Sequence, residues 1–242
     1  MASPLIKKLR HRTTDAGGVW VKACGYRAPA DVIAAAGHVD AIGLNFFARS
    51  PRYVSDEAAI EIAEAAAGRV ATVGVFVNDP PEAVVTRAGR VGLDAVQFHG
   101  DETAAEIAAF KRALPDVAVI RAFRMGNDGV GPLSRELAAL ADADATPDAV
   151  LVDARVDGVF GGTGKTVAWD VLAADYRRDA WPPLILAGGL TAENIGEAIA
   201  AVRPWGVDTA GGVESETAVK DVGLTRRFSD AAAEACRASG IG

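Results

Sequence analysis

The chain reads as one (β/α)8 TIM barrel with parallel strands, on three observations. Short apolar runs of strand length recur eight times, segments with helical spacing separate them, and polar or glycine residues gather where the runs end. Apolar runs without alternation mark strands covered on both faces, as parallel strands flanked by helices are. A doubly wound open sheet would carry fewer strands and an edge strand, and neither terminus reads as one.

In chain order, strands are expected at residues 19–24, 41–45, 72–77, 95–98, 119–123, 149–153, 184–187 and 206–210. Helices are expected at 29–36, 56–67, 81–91, 102–114, 133–141, 168–175, 192–202 and 225–238. Ser55 ahead of Asp56-Glu57, and Thr191 three residues ahead of Asn194, are helix-start signals. A further short helix is expected near 215–220. Residues 1–18 hold Lys7, Lys8, Arg10 and Arg12 but lack the apolar core of a signal peptide. They read as a flexible extension, which leaves 19–242 as the catalytic barrel.

Half of the 242 residues are hydrophobic and the net charge is −7, so there is no broad basic surface for nucleic acid or an anionic membrane. No apolar run approaches the roughly 18 residues that span a bilayer. Cys24 and Cys236 lie at opposite ends and form no metal-ligand spacing. Two thiols in such a chain fit a reducing cytoplasm, with a disulfide between them as the alternative. Monomer and homodimer are both compatible with the sequence.

The chemistry centres on 149–166, AVLVDARVDGVFGGTGKT. A buried strand ends at Asp153, and a loop with Gly158, Gly161, Gly162 and Gly164 follows. An acid at a strand's C-terminal end beside such a loop is the usual site geometry of a parallel α/β scaffold. A P-loop is excluded because Val159 stands where its first glycine belongs, and a dinucleotide fingerprint fails at Val167. Gly188-Gly189 and Gly211-Gly212 follow the last two strands, where barrels commonly cradle phosphate on backbone N–H groups. Arg52, behind Ser50-Pro51, offers a planar fork for a carboxylate or phosphate. Cys24 ends the first strand, and His99 ends the fourth in a polarising or supporting role. Lys22 shares the inward face of its strand with Cys24. Its expected partner is Asp208 on the eighth strand, a neighbour in a closed barrel.

Six motifs in order, Val21-Lys22-Ala23-Cys24-Gly25, Ser50-Pro51-Arg52-Tyr53-Val54, Val73-Gly74-Val75-Phe76-Val77-Asn78, Gln97-Phe98-His99-Gly100-Asp101-Glu102, Gly161-Gly162-Thr163-Gly164-Lys165-Thr166 and Leu186-Ala187-Gly188-Gly189-Leu190, resemble the phosphoribosylanthranilate isomerase family of tryptophan biosynthesis. The resemblance runs over nearly the whole chain from Val19. It implies an Amadori rearrangement of a phosphosugar–anthranilate substrate that needs no metal or organic cofactor. Carried onto matching positions, it implies Asp153 as general acid and Cys24 as general base. Arg52 would hold the anthranilate carboxylate, and Gly162, Gly188, Gly189, Gly211 and Gly212 the phosphate end. An acid must hold its proton near neutral pH, which free aspartate, at about 3.9, does not; burial and a dianionic substrate are the expected remedies.

Departures from the family pattern are Tyr26-Arg27 after Cys24-Gly25, Ala154 after the acid, and Thr209-Ala210 in place of a serine-rich turn. Arg27 is a candidate extra positive charge beside Cys24, and the last change is expected to loosen the phosphate site. The competing readings are a histidine-pathway aminoaldose isomerase or an enzyme serving both pathways, indole-glycerol-phosphate synthase, and a non-catalytic phosphosugar-binding barrel. The first would carry aspartate where Cys24 stands, and the second needs a lysine–glutamate set that has no counterpart here.

Overall fold

The structure is a computed structural model that describes residues 18–126, 128–153 and 167–241. Residues 1–17 and the glycine-rich segment with Gly162 lie outside the described residues. Eight parallel strands close on themselves in chain order: β1 (Trp20–Cys24), β2 (Ala41–Asn45), β3 (Ala71–Phe76), β4 (Ala95–Phe98), β5 (Ala118–Arg124), β6 (Ala149–Asp153), β7 (Leu184–Ala187) and β8 (Gly206–Thr209). The helices are α1 (Pro29–Ala35), α2 (Asp56–Ala66), α3 (Pro81–Val91), α4 (Ala104–Ala113), α5 (Gly131–Asp142), α6 (Val167–Asp175), α7 (Ile195–Val202) and α8 (Val222–Ser239). Among the described residues no helix is long and apolar enough to cross a membrane.

Period-two alternation splits the core in two. Trp20, Ala41, Ala71, Val73, Ala95, Ala118, Ile120, Ala149, Leu151 and Ile185 fill the barrel, and their neighbours Val21, Ile42, Val96, Val119, Val150 and Leu186 pack outward under the helices. Small alanines predominate inside because eight inward rows converge on one axis. That parity also decides the site, since Lys22, Cys24, His99 and Asp153 fall on the inward rows.

The N-terminal rim is tied by a repeated device. Asp40, Asp94 and Asp148 stand immediately before β2, β4 and β6, and their carboxylates accept the backbone N–H of Val21 (2.8 Å), Thr72 (2.8 Å) and Val119 (2.9 Å) on the preceding strand. Each would otherwise be a donor stranded at a strand's start. In the sequence they are Asp40-Ala41-Ile42, Asp94-Ala95-Val96 and Asp148-Ala149-Val150, spaced at a constant interval.

Besides α5 and α8, which start earlier than expected at Gly131 and at Val222 behind the Asp221 cap, three expected elements differ. Residues 102–114 start a helix only at Ala104, capped by Thr103 in a reciprocal capping box with Glu106. Glu102 instead accepts the N–H of Asn78 (2.9 Å) and of Gly100 (3.0 Å) and pairs with buried Arg121 (2.8 Å), which binds the β4–α4 loop to β5. Residues 192–202 start at Ile195, because Asn194 Oδ1 accepts the Thr191 N–H (2.8 Å) in a turn ahead of the helix. The short helix near 215–220 is an antiparallel hairpin, β9 (Glu214–Glu216) and β10 (Val219–Lys220), entered through a 3₁₀ turn at Gly211–Val213. Glu214 and Lys220 face each other across it, and Ala218 turns the chain at φ 64°, where no helix continues.

Candidate active site

Cys24 closes β1 beside β2 so tightly that only glycine fits next to it. A Cβ on Gly43 would stand 2.5 Å from the Cys24 sulfur. Gly25 takes φ +94°, and a Cβ there would meet Arg52 Cδ at 2.4 Å, so the glycine after the thiol makes room for the arginine. Cys24 is half-buried and Cys236 is buried; both are free thiols, and the Cys236 sulfur accepts the Val19 N–H at 3.4 Å.

The expected Lys22–Asp208 pair is present, with Nζ 3.0 Å from Oδ1 and the lysine wholly buried. β1 and β8 are neighbours with Lys22 opposite Asp208, as barrel closure requires. Burial works against the ammonium, but Asp208 and Cys24 outweigh it and hold Lys22 above the usual lysine range. At Cys24 burial wins and pushes the thiol up, against the opposing pull of Lys22 and Lys220. Arg27 is exposed to solvent. The additional cation acting on the thiol is therefore Lys220, whose ammonium lies 5.7 Å over the Tyr26 ring.

Arg52 lies at the mouth with its fork already half used. Nε and Nη2 each bond a Glu214 oxygen at 2.7 Å. A guanidinium has five N–H groups, and among the described residues the opposite Nη1/Nη2 edge has no hydrogen-bond partner, which leaves it for a second planar anion. Glu214 also accepts from Lys220 at 2.8 Å. Burial would raise its carboxyl, but the two cations hold it down at about 2.

Gln97 Nε2 lies 2.8 Å from His99 Nδ1. The Gln97 amide and Nδ1 hydrogen-bond each other, which leaves Nε2 as the ring nitrogen turned away from Gln97. Burial, then Lys22 and Arg124, pull His99 down to about 4, while Asp153 acts the other way. The ring is neutral at pH 7. Asp153, half-buried at the end of β6, stands opposite Arg124 in the β5–β6 register.

The two glycine pairs come together. Gly188 and Gly189 take φ 105° and 69° after β7, and Gly212 packs so close to the β7 loop that a Cβ would meet Leu190 O at 2.1 Å. Thr209 Oγ1 laces the loops, donating to Leu190 O (2.7 Å) and accepting the Gly212 N–H (3.2 Å). Thr209, expected to loosen this turn, therefore secures it. Gly212 serves close approach, since its own N–H is taken. A Cβ built on Gly211 would have Arg52 Nη2 as its nearest neighbour, at 4.0 Å, so the cradle opens beside the arginine.

Cys24, Arg52, His99, Asp153, Gly188, Gly189, Gly211 and Gly212 thus occupy one rim. Glu214 and Lys220 were missed by sequence reasoning. Their signal is faint, two charges flanking a polar turn, and Glu214 meets Arg52 across 162 positions of chain.

A closed parallel barrel with a thiol, a carboxylate, an imidazole and an arginine fork at its C-terminal mouth defines a (β/α)8-barrel enzyme. The particular family follows from comparison with known proteins. The family model for N-(5'-phosphoribosyl)anthranilate (PRA) isomerase matches residues 21–231, and the chain belongs to that family. A relative from Leptothrix cholodnii, named N-(5'-phosphoribosyl)anthranilate isomerase, is 39% identical over 216 residues, 89% of this chain and 91% of its own. The crystal structure of phosphoribosyl anthranilate isomerase from Thermotoga maritima superposes with a TM-score of 0.74 at 32% identity, covering 88% of this chain and 98% of the other. A structure of such an isomerase in complex with reduced 1-(o-carboxyphenylamino)-1-deoxyribulose 5-phosphate superposes with a TM-score of 0.71 at 32% identity, with the same coverage.

Proposed function

We propose that this isomerase rearranges N-(5'-phosphoribosyl)anthranilate to 1-(2-carboxyphenylamino)-1-deoxyribulose 5-phosphate in tryptophan biosynthesis, with Asp153 as general acid and Cys24 as general base. Asp153 gives a proton to the ribose ring oxygen as the C1′–O bond breaks, and the nitrogen lone pair closes to an iminium. Cys24, as thiolate, then takes the C2′ proton. The released pair forms the C1′–C2′ double bond, the iminium pair returns to nitrogen, and the enolamine tautomerises to the ketone. A proton beside an iminium is acidified, so a modest base suffices.

Arg52 receives the anthranilate carboxylate on the edge that Glu214 leaves open. Gly188, Gly189, Gly211 and Gly212 surround the phosphate, and neutral His99 donates to a substrate oxygen. Gly162 is assigned to substrate binding on the resemblance alone. Free thiols fit a cytoplasmic enzyme. The observation that supports the reading most is that Cys24 and Asp153 end their strands on inward rows at the same rim. Turnover followed by anthranilate fluorescence tests it. Asp153→Asn and Cys24→Ser should each abolish turnover with an unchanged circular dichroism spectrum, and full activity in either overturns that residue's role.

A further inference from the structure

Five charged groups, linked in two sets, lie around the end of β1 that carries the thiol. Lys22 and Asp208 lie below it in the barrel, while Arg52, Glu214 and Lys220 close over the segment that carries it. The second group forms a ring of contacts that begins and ends at residues 24–26. Arg52 Cδ fills the space left by Gly25, Glu214 clamps Arg52, Lys220 pairs with Glu214, and the Lys220 ammonium returns over the Tyr26 ring. Lys220 also donates to Ala210 O at 2.9 Å, the carbonyl just before the Gly211-Gly212 turn. Its side chain is 3% exposed and that of Glu214 5%, so water does little to screen either. Across the mouth lie neutral His99 and, opposite each other in the β5–β6 register, Arg124 and Asp153.

Three cations here face two carboxylates. Among the described residues, these two linked groups hold one cation more than carboxylates, with Asp153 and Arg124 facing each other apart from them at the ends of β6 and β5, and a Cys24 thiolate would balance that excess. We propose that Lys220 is a positioning residue of the reaction: it supplies the charge that a Cys24 thiolate balances and, through Glu214, fixes the Arg52 fork beside the glycine turn. The assignment rests on Cys24 being the base. The electrostatics agree in direction. Burial raises the thiol and lowers Lys220, and each charge opposes this at the other: Lys220 pulls the thiol down, while Glu214 and then Cys24 hold the lysine up.

The test is the pH dependence of Cys24 alkylation by iodoacetamide, followed by mass spectrometry in the full chain, where Cys236 is fully buried. Lys220→Met should move the alkylation midpoint up by about one pH unit, the order of effect of removing one opposite charge acting on a titrating group. Lys220→Arg should restore most of that shift. Glu214→Gln leaves both cations uncompensated and should move the midpoint down. Damage to the fold would not produce opposite signs, and Glu214→Gln carries the test alone if Lys220→Met does not fold. The pH at which kcat/KM rises should follow the alkylation midpoint in each variant. An unchanged midpoint in Lys220→Met, or a shift of the same sign in both variants, overturns the role of Lys220 while leaving Cys24 as base untouched. Full turnover in Cys24→Ser would instead remove the base, and with it the part of Lys220 in the reaction, whatever the midpoints do.

Discussion

Replacing Asp208 by asparagine keeps the shape of the side chain inside the barrel and removes its charge. Lys22, wholly buried and 3.0 Å away, would then be an ammonium in the core without a counter-ion. Breaking one half of a buried pair costs about 3–5 kcal/mol, because the surviving charge has lost its solvation and gained nothing. Against a domain stability of about 5–15 kcal/mol, that is a third or more of the total for most of the range. The cost depends on pH with a definite sign. In the native protein Lys22 is held above the usual lysine range, so while Asp208, whose own carboxyl burial pushes up, stays ionised, the lysine's contribution is complete below about pH 10.4 and fades as pH rises through the raised value. In Asp208→Asn the buried lysine is pushed below that range, so the loss is largest at neutral pH and shrinks as pH climbs toward 10. Urea unfolding followed by tryptophan fluorescence measures it, since Trp20 inside the barrel stacks on Trp205 at 5.4 Å. The companion variant Lys22→Met/Asp208→Leu, which removes both charges, should recover most of the stability. A loss below about 1 kcal/mol in Asp208→Asn at pH 7, or a double variant no better than the single one, would refute the reasoning.

Gly43→Ala should cut turnover on the order of a hundredfold, because the new methyl carbon would stand 2.5 Å from the Cys24 sulfur and displace it; slower alkylation of the thiol is the accompanying sign. Glu214, held at about 2 against an unfolded value near 4.3, should contribute stability that is complete above about pH 4.3 and lost as pH falls toward 2. The thermal midpoint of Glu214→Gln should lack that acid slope. Asp40→Ala strands the buried Val21 N–H and should cost about 1–3 kcal/mol in urea unfolding without changing kcat, since the N-terminal rim lies far from the chemistry. A fall in kcat at saturating substrate would count against that separation.

The barrel and most of its rim were legible in the chain. Buried strands under helices on both sides are apolar throughout, so β2, β4, β6 and β7 begin and end where the apolar runs do. Alternation put Lys22 and Cys24 on one face, and closure made the first and last strands neighbours, so even the Lys22–Asp208 pair could be named before any coordinates. Those features depend on local periodicity and one topological rule. Glu102 looked like the start of a helix because a glutamate there is compatible with one; its carboxylate instead meets Gly100 in its own loop and Asn78 and Arg121 from other elements. Glu214 and Lys220 looked like solvated charges on a polar turn. Only the tertiary structure decides that they are buried against Arg52 and Tyr26, because a charge's partner depends on which loops the closed barrel brings to one rim, and neighbours along the chain carry no trace of that.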